Sequence, residues 1–173
     1  MKLWLLDADV IIDLLSLNLF DKLIKNHKVF AGSTVIGEVK SFKRSNARQS
    51  IDLRQKYIEN GLIKELSASA EEIKKVLSKL PKNNRDTIHT GELESLAILV
   101  REDNLIFCSC DATAIRTLPI LGLTDRGISV EKLLKVSGLT QSSRKERHTE
   151  KYFKNNLAIG QKEKTYNFSR NGS

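Results

Sequence analysis

The chain has 173 residues, with 29 Lys and Arg against 21 Asp and Glu, a formal net charge of +8, and 40% hydrophobic residues. That length fits one domain able to bury its own core without staples. The two cysteines, Cys108 and Cys110 in FCSC, are too few and too close for a disulfide framework or a four-ligand zinc site, which points to a reducing, cytoplasmic setting and against secretion.

The opening MKLWLLDADVIIDLL carries three acids inside its apolar run, so it reads neither as a signal-peptide core nor as a membrane span. No later run is long enough for a span, and no membrane partner is expected. The histidines, His27, His89 and His148, form no HxxxH or similar ligand spacing, so any metal the protein uses is expected to sit on oxygen.

In chain order, β-branched or apolar runs alternate with segments of helical period, which predicts an α/β fold around a mostly parallel sheet. A strand is expected over residues 2–6 and helices over 8–16 and 18–27. A second strand over 28–31 leads to helices over 34–42 and 46–60. An edge strand over 62–66 and a helix over 70–80 follow, then a polar break at 81–85 that reads as a surface loop. A helix over 91–102, a strand over 104–109, a helix over 112–118, a short strand over 120–123 and a helix over 130–136 complete the series. Trp4 and Leu6 are expected in the core, and Cys108 and Cys110 are expected to be buried and structural. Beyond Gly138 the chain turns polar, with eight Lys and Arg against three Asp and Glu from Ser137 onward, so residues 1–138 read as the domain and 139–173 as a basic, flexible C-terminal extension.

Acidic residues fall at the junctions that matter in such a fold. Asp7 ends the first strand and opens a helix; Asp111 does the same after LIFCS. Glu38 sits in the apolar run TVIGEV, and Glu92 and Glu94 sit in the first turn of GELESLAIL. In open α/β sheets the ligand crevice lies beyond the carboxyl ends of the strands, where these side chains would converge into an anionic pocket. Taken singly, each acid also has a structural reading: Asp7 and Asp111 as helix caps, Glu92 and Glu94 as partners of the helix dipole. With Gly91 as N-cap, Glu94 would take the position that folds back on the cap.

LWLLDADVII, STVIGEVKSF, GELESLAIL and IFCSCDATAIRTLPILGLTDRG together resemble the four ordered motifs of PIN-domain nucleases, in a GE-containing, VapC-like subgroup. The resemblance spans residues 2–136. It implies a three-layer α/β/α fold and Mg²⁺- or Mn²⁺-dependent hydrolysis of RNA. The acidic quartet it implies is Asp7, Glu38, Glu92 and Asp111, which would serve as both catalytic residues and metal ligands. Asp9 and Ser109 would be supporting residues, with Glu94 as an understudy to Glu92. The third motif departs from relatives that carry Asp there; Leu96, Ala97 and Ile98 align it in favour of Glu92. Such proteins include toxins held silent by an antitoxin protein, and many dimerise. Two alternatives stand beside this reading: a PIN-like scaffold that binds RNA or protein without cutting, and a haloacid-dehalogenase-like phosphatase using Asp7 as nucleophile and Asp9 as acid/base.

An acidic pocket repels a polyanion, so compensating cations are expected nearby. The candidates for RNA contact are Lys40, Lys43 and Arg44 beyond Glu38, Lys79, Lys82 and Arg85 before the third motif, and Arg116 after Asp111. Tyr152, Phe153, Tyr166 and Phe168, interleaved with basic residues in the tail, offer base stacking, a partner-docking segment or a solubilising end.

Overall fold

A computed structural model describes residues 3–140 and 145–171; Lys2 and residues 141–144, 172 and 173 of the expected extension lie outside the described residues. The chain begins with β1 (Leu3–Leu6), α1 (Ala8–Ser16), α2 (Phe20–Asn26), β2 (Lys28–Gly32) and α3 (Ser33–Glu38). A hairpin of β3 (Ser41–Arg44) and β4 (Ala47–Ser50), a π-helical turn (Arg54–Ile58) and β5 (Lys64–Leu66) follow. Then come α4 (Ala70–Lys79), α5 (Lys82–Thr87), α6 (Thr90–Arg101), β6 (Leu105–Cys108) and α7 (Ala112–Ile120). The last elements are β7 (Gly127–Ile128), α8 (Val130–Val136) and α9 (Glu150–Asn171).

Five strands form one sheet in the order β5-β2-β1-β6-β7, every pairing parallel. Alternation along the central strands sends side chains to two separate cores. Trp4, Leu6 and Cys108 join Val10, Leu14 and Phe20 of α1 and α2 and Leu133 of α8. Leu5 and Phe107 join Val76, Leu96 and Leu118 of α4, α6 and α7. A sheet that buries both faces under helices is the expected α/β/α three-layer architecture. Each fully buried Leu in these layers contributes roughly 1.5–3 kcal/mol. Cys110 is buried in the same core as Cys108, Trp4 and Leu6. No described helix is long and apolar enough to cross a membrane.

β1 feeds α1 on one face of the sheet and β6, its neighbour, feeds α7 on the other. Chain paths that part in this way leave a crevice at the carboxyl ends of the two strands, the topological switch point of an open α/β sheet.

Several elements differ from the sequence expectation. The helix expected over 34–42 ends at Glu38, and the one expected over 46–60 is replaced by the hairpin and the π-helical turn. Ser45 and Asn46 both adopt positive φ (51° and 61°), a two-residue hairpin turn that no helix accommodates. The strand expected over 120–123 is the end of α7 and its closing turn, with Gly122 at φ 74°; β7 follows and pairs with β6, while the edge strand expected over 62–66 is present as β5. The loop expected over 81–85 is the start of α5, where Pro81 supplies a ready N-terminus.

The expected flexible extension is corrected most. Its residues 150–171 form α9, which lies along α7 so closely that a Cβ on Gly160 would come 2.1 Å from the Arg116 carbonyl oxygen. Phe153 is buried in the second core, and His148 and Asn156 are buried as well.

Candidate functional site

The register Leu6↔Cys108 sets the residues that follow each strand side by side, and the Asp7 amide donates to the Cys108 carbonyl at 3.1 Å. Asp7 is only 4% exposed and caps α1 by accepting the Ala8 amide at 2.7 Å. Ser109 links the two junctions: its hydroxyl donates to Asp7 Oδ2 at 2.9 Å and accepts the Asp111 amide at 3.1 Å. Asp111 in turn caps α7 through the Ala114 amide at 2.9 Å. Both aspartates therefore cap helices, and they lie close enough for the charge of Asp111 to act on Asp7.

Glu92 enters from the first turn of α6, almost buried. Its Oε2 accepts the His89 amide at 3.1 Å, and its other oxygen lies 3.5 Å from the His89 ring. Burial, then the charges of Asp111 and Asp7, push its carboxyl up to about 7 against the pull of the His89 amide. Burial likewise raises Asp7 to about 6, against the Ser109 and Ala8 bonds, with Asp9 and Asp111 adding repulsion. Three carboxylates from three segments thus share one field, and among the described residues neither Asp7 nor Asp111 is paired with a Lys or Arg.

Glu38, the exposed last residue of α3, reaches the same helix end: its Oε2 lies 2.9 Å from where a Cβ on Gly91 would stand. Any side chain at 91 would push this carboxylate away. Glu94 does something different. It is buried, accepts the Thr34 amide at 2.8 Å and occupies the space a Gly32 Cβ would need, so it caps α3 from a neighbouring helix. The fold-back position expected for Glu94 belongs to Glu92, because α6 starts at Thr90 with His89 as its cap.

Asp9 is exposed and paired with Arg147 at 2.8 Å. Arg44 is turned inward, its guanidinium donating to the Leu15 carbonyl at 2.6 Å and resting on the Phe42 ring. Arg116 donates to Asn156 at 2.8 Å beneath α9. These two cations, expected to meet RNA, are spent on the fold. Lys40, Lys43, Lys79, Lys82 and Arg85 are exposed.

A second cluster escaped the sequence reading. Asp13, buried on α1, accepts Lys145 at 2.6 Å, Arg147 at 2.6 Å and the His148 ring at 2.6 Å. These bonds hold its carboxyl well below the usual range despite burial. The only readable signal is that Asp9 and Asp13 stand four apart, on one helix face. Among the described residues, Asp13, Cys110 and His148 are the His, Cys, Asp and Glu side chains whose ligand atoms come within 4.8 Å of one another as a group of three. They do not suit a cation: Asp13 already faces two fixed positive charges, Lys145 and Arg147, each at 2.6 Å.

No protein-family model, curated protein or solved structure matches the chain.

Proposed function

We propose that the protein is a divalent-cation-dependent ribonuclease that hydrolyses phosphodiester bonds at the crevice of Asp7, Glu38, Glu92 and Asp111. One observation carries this reading: buried Asp7 and Glu92 and half-buried Asp111, from separate segments, share one field, two of them are raised by burial first and by their neighbours' charge second, and neither Asp7 nor Asp111 has a Lys or Arg partner among the described residues. An all-oxygen donor set of this kind suits a hard cation, Mg²⁺ or Mn²⁺. Asp7 and Asp111 would hold it directly, with Glu38 and Glu92 beside them. When bound, the cation supplies Lewis-acid polarisation of the phosphodiester and an activated water.

The chain's own residues do the rest. Ser109 fixes the Asp7 carboxylate by its hydrogen bond, so this donor does not have to be ordered at each turnover. Glu92, tethered by its own helix cap, orients water at the phosphorus. Lys40 and Lys43, exposed beyond Glu38, offset the pocket's repulsion of a polyanion. Asp9, tied to Arg147, is not disposed as the acid/base of a phosphatase.

The test is cleavage of single-stranded RNA in Mg²⁺ or Mn²⁺ by wild type, Asp7→Asn, Asp111→Asn, Glu92→Gln and Glu94→Gln. Asn caps a helix nearly as well as Asp, so the aspartate variants isolate the charge. The first three variants should lose about 10²-fold or more in rate, the scale of lost charge stabilisation at a reacting centre. Wild-type rates in the Asp variants would make the carboxylates mere caps. RNA binding without cleavage by wild type would favour the scaffold alternative.

A further inference from the structure

A groove of about 660 Å³ runs between the α4–α5 corner and the far end of α9, away from the acidic crevice. Its walls carry Lys79, Lys82 and Arg85 on one side and Lys164 on the other, and no Asp or Glu lines it. Among the described residues none of the four cations is paired with a carboxylate. The nearest acid on α9, Glu163, is turned to the Asn84 amide at 3.4 Å. Four unneutralised cations around one concavity repel each other, which a protein tolerates where a polyanion supplies the missing charge.

The rim adds a second, different observation. Phe168 lines the groove yet is 82% exposed, and Tyr166 on the same helix is 61% exposed with the Arg170 guanidinium 5.4 Å over its ring. A large apolar ring held in water next to a row of cations is the pairing that single-stranded nucleic acid uses: phosphates on the charges, a base on the ring. α5 lies between the groove and the crevice, its Arg85 end leading through Ile88 and His89 into the helix of Glu92, and its Thr87 hydroxyl lying 3.5 Å from Thr113 of α7, two residues beyond Asp111.

We propose that this groove holds the single-stranded RNA flanking the scissile phosphate, with backbone phosphates on Lys79, Lys82, Arg85 and Lys164 and a base stacked on Phe168. The proposal rests on the ribonuclease reading for its substrate class, and α9 becomes a wall of the substrate path.

Binding of a labelled single-stranded RNA to the full chain, followed by anisotropy in chelator so that no cleavage occurs, tests it apart from catalysis. Lys82→Ala/Arg85→Ala/Lys164→Ala should weaken binding at least 10-fold at low salt and reduce the slope of log K against log[salt] by about 2, from three lost phosphate contacts at roughly 0.7 each. Phe168→Ala should weaken binding roughly 5-fold or more while leaving that slope unchanged. Thermal unfolding of each variant near the wild-type temperature makes these binding effects. Wild-type affinity and slope in the triple variant would overturn the groove while leaving the crevice chemistry standing. A wild type that binds RNA through the groove yet never cuts it would overturn the ribonuclease reading instead. If an acidic peptide of equal charge displaces the RNA equally well and Phe168→Ala changes nothing, the groove is a protein-docking surface and the RNA assignment fails.

Discussion

Asp7 and Glu92 are held where the unliganded protein would rather have them protonated. Their folded pKa values, about 6 and about 7, lie above the ordinary 3.8 and 4.5. For an acid shifted upward the stability contribution is full below the unfolded value and is lost as pH rises through the folded one. Metal-free protein should therefore melt higher near about pH 5 than near about pH 8, a difference that Asp7→Asn reduces, as thermal scans in chelator will show. At about pH 8, Mn²⁺ at ~100 times its dissociation constant should add about 2.7 kcal/mol to wild type and nothing comparable to Asp7→Asn. A melting temperature indifferent to both pH and cation would remove the physical basis of the site. Much of this was legible: strand-end acids, a Ser two residues before Asp111, and apolar residues after Glu92 all stand in the sequence. The distinct work of Glu94 was not, because its partner amide on Thr34 lies 60 residues away.

Among the elements, α1 is fastened at both ends of its polar face. Asp7 starts the helix, and Asp9 and Asp13, one turn apart, are gripped by the segment from Lys145 to His148. Removing one partner of such a buried pair leaves the other charges stranded, so Asp13→Ala should cost about 3 kcal/mol near neutral pH. Because the Asp13 carboxyl is depressed, the stability it gives is present above its ordinary pKa of 3.8 and is lost as pH falls below it. Urea unfolding should then show the gap between wild type and Asp13→Asn narrowing from about pH 7 to about pH 3. A gap that stays constant would mean the contribution is packing and not charge. Neither this clasp nor the β3–β4 hairpin could be read from local pattern: the clasp joins residues more than 130 apart, and Ser45-Asn46 lacks the glycine that usually announces such a turn.

On the scale of the whole molecule, the basic tail is a layer of the fold. Tyr152, Phe153, Asn156, Leu157 and Gly160 recur at helical spacing on one face of α9, but two of the five are polar or glycine, so the stripe does not register as apolar. Those two residues are the docking contacts: Asn156 accepts from Arg116, and Gly160 lets two helix backbones touch. Gly160→Ala separates a docked helix from a loose one by the sign of its effect. In a solvent-exposed helix, Ala is favoured over Gly by about 1 kcal/mol, so an undocked α9 would gain helicity at no expense to the domain. Docked as described, the new methyl meets the Arg116 carbonyl at 2.1 Å, against backbone that cannot swing aside. The crossing must open, with a loss of roughly 1–3 kcal/mol characteristic of overpacking. Ending the chain at Gly138 should cost more, since it uncovers Leu118 and Gly127 where Phe153 sits and strips Asp13 of its partners. Thermal unfolding of the three proteins decides it: both changes should lower the midpoint, truncation further than the alanine. An alanine variant at or above wild type, with a truncated chain of unchanged midpoint, would return α9 to the status of a flexible appendage.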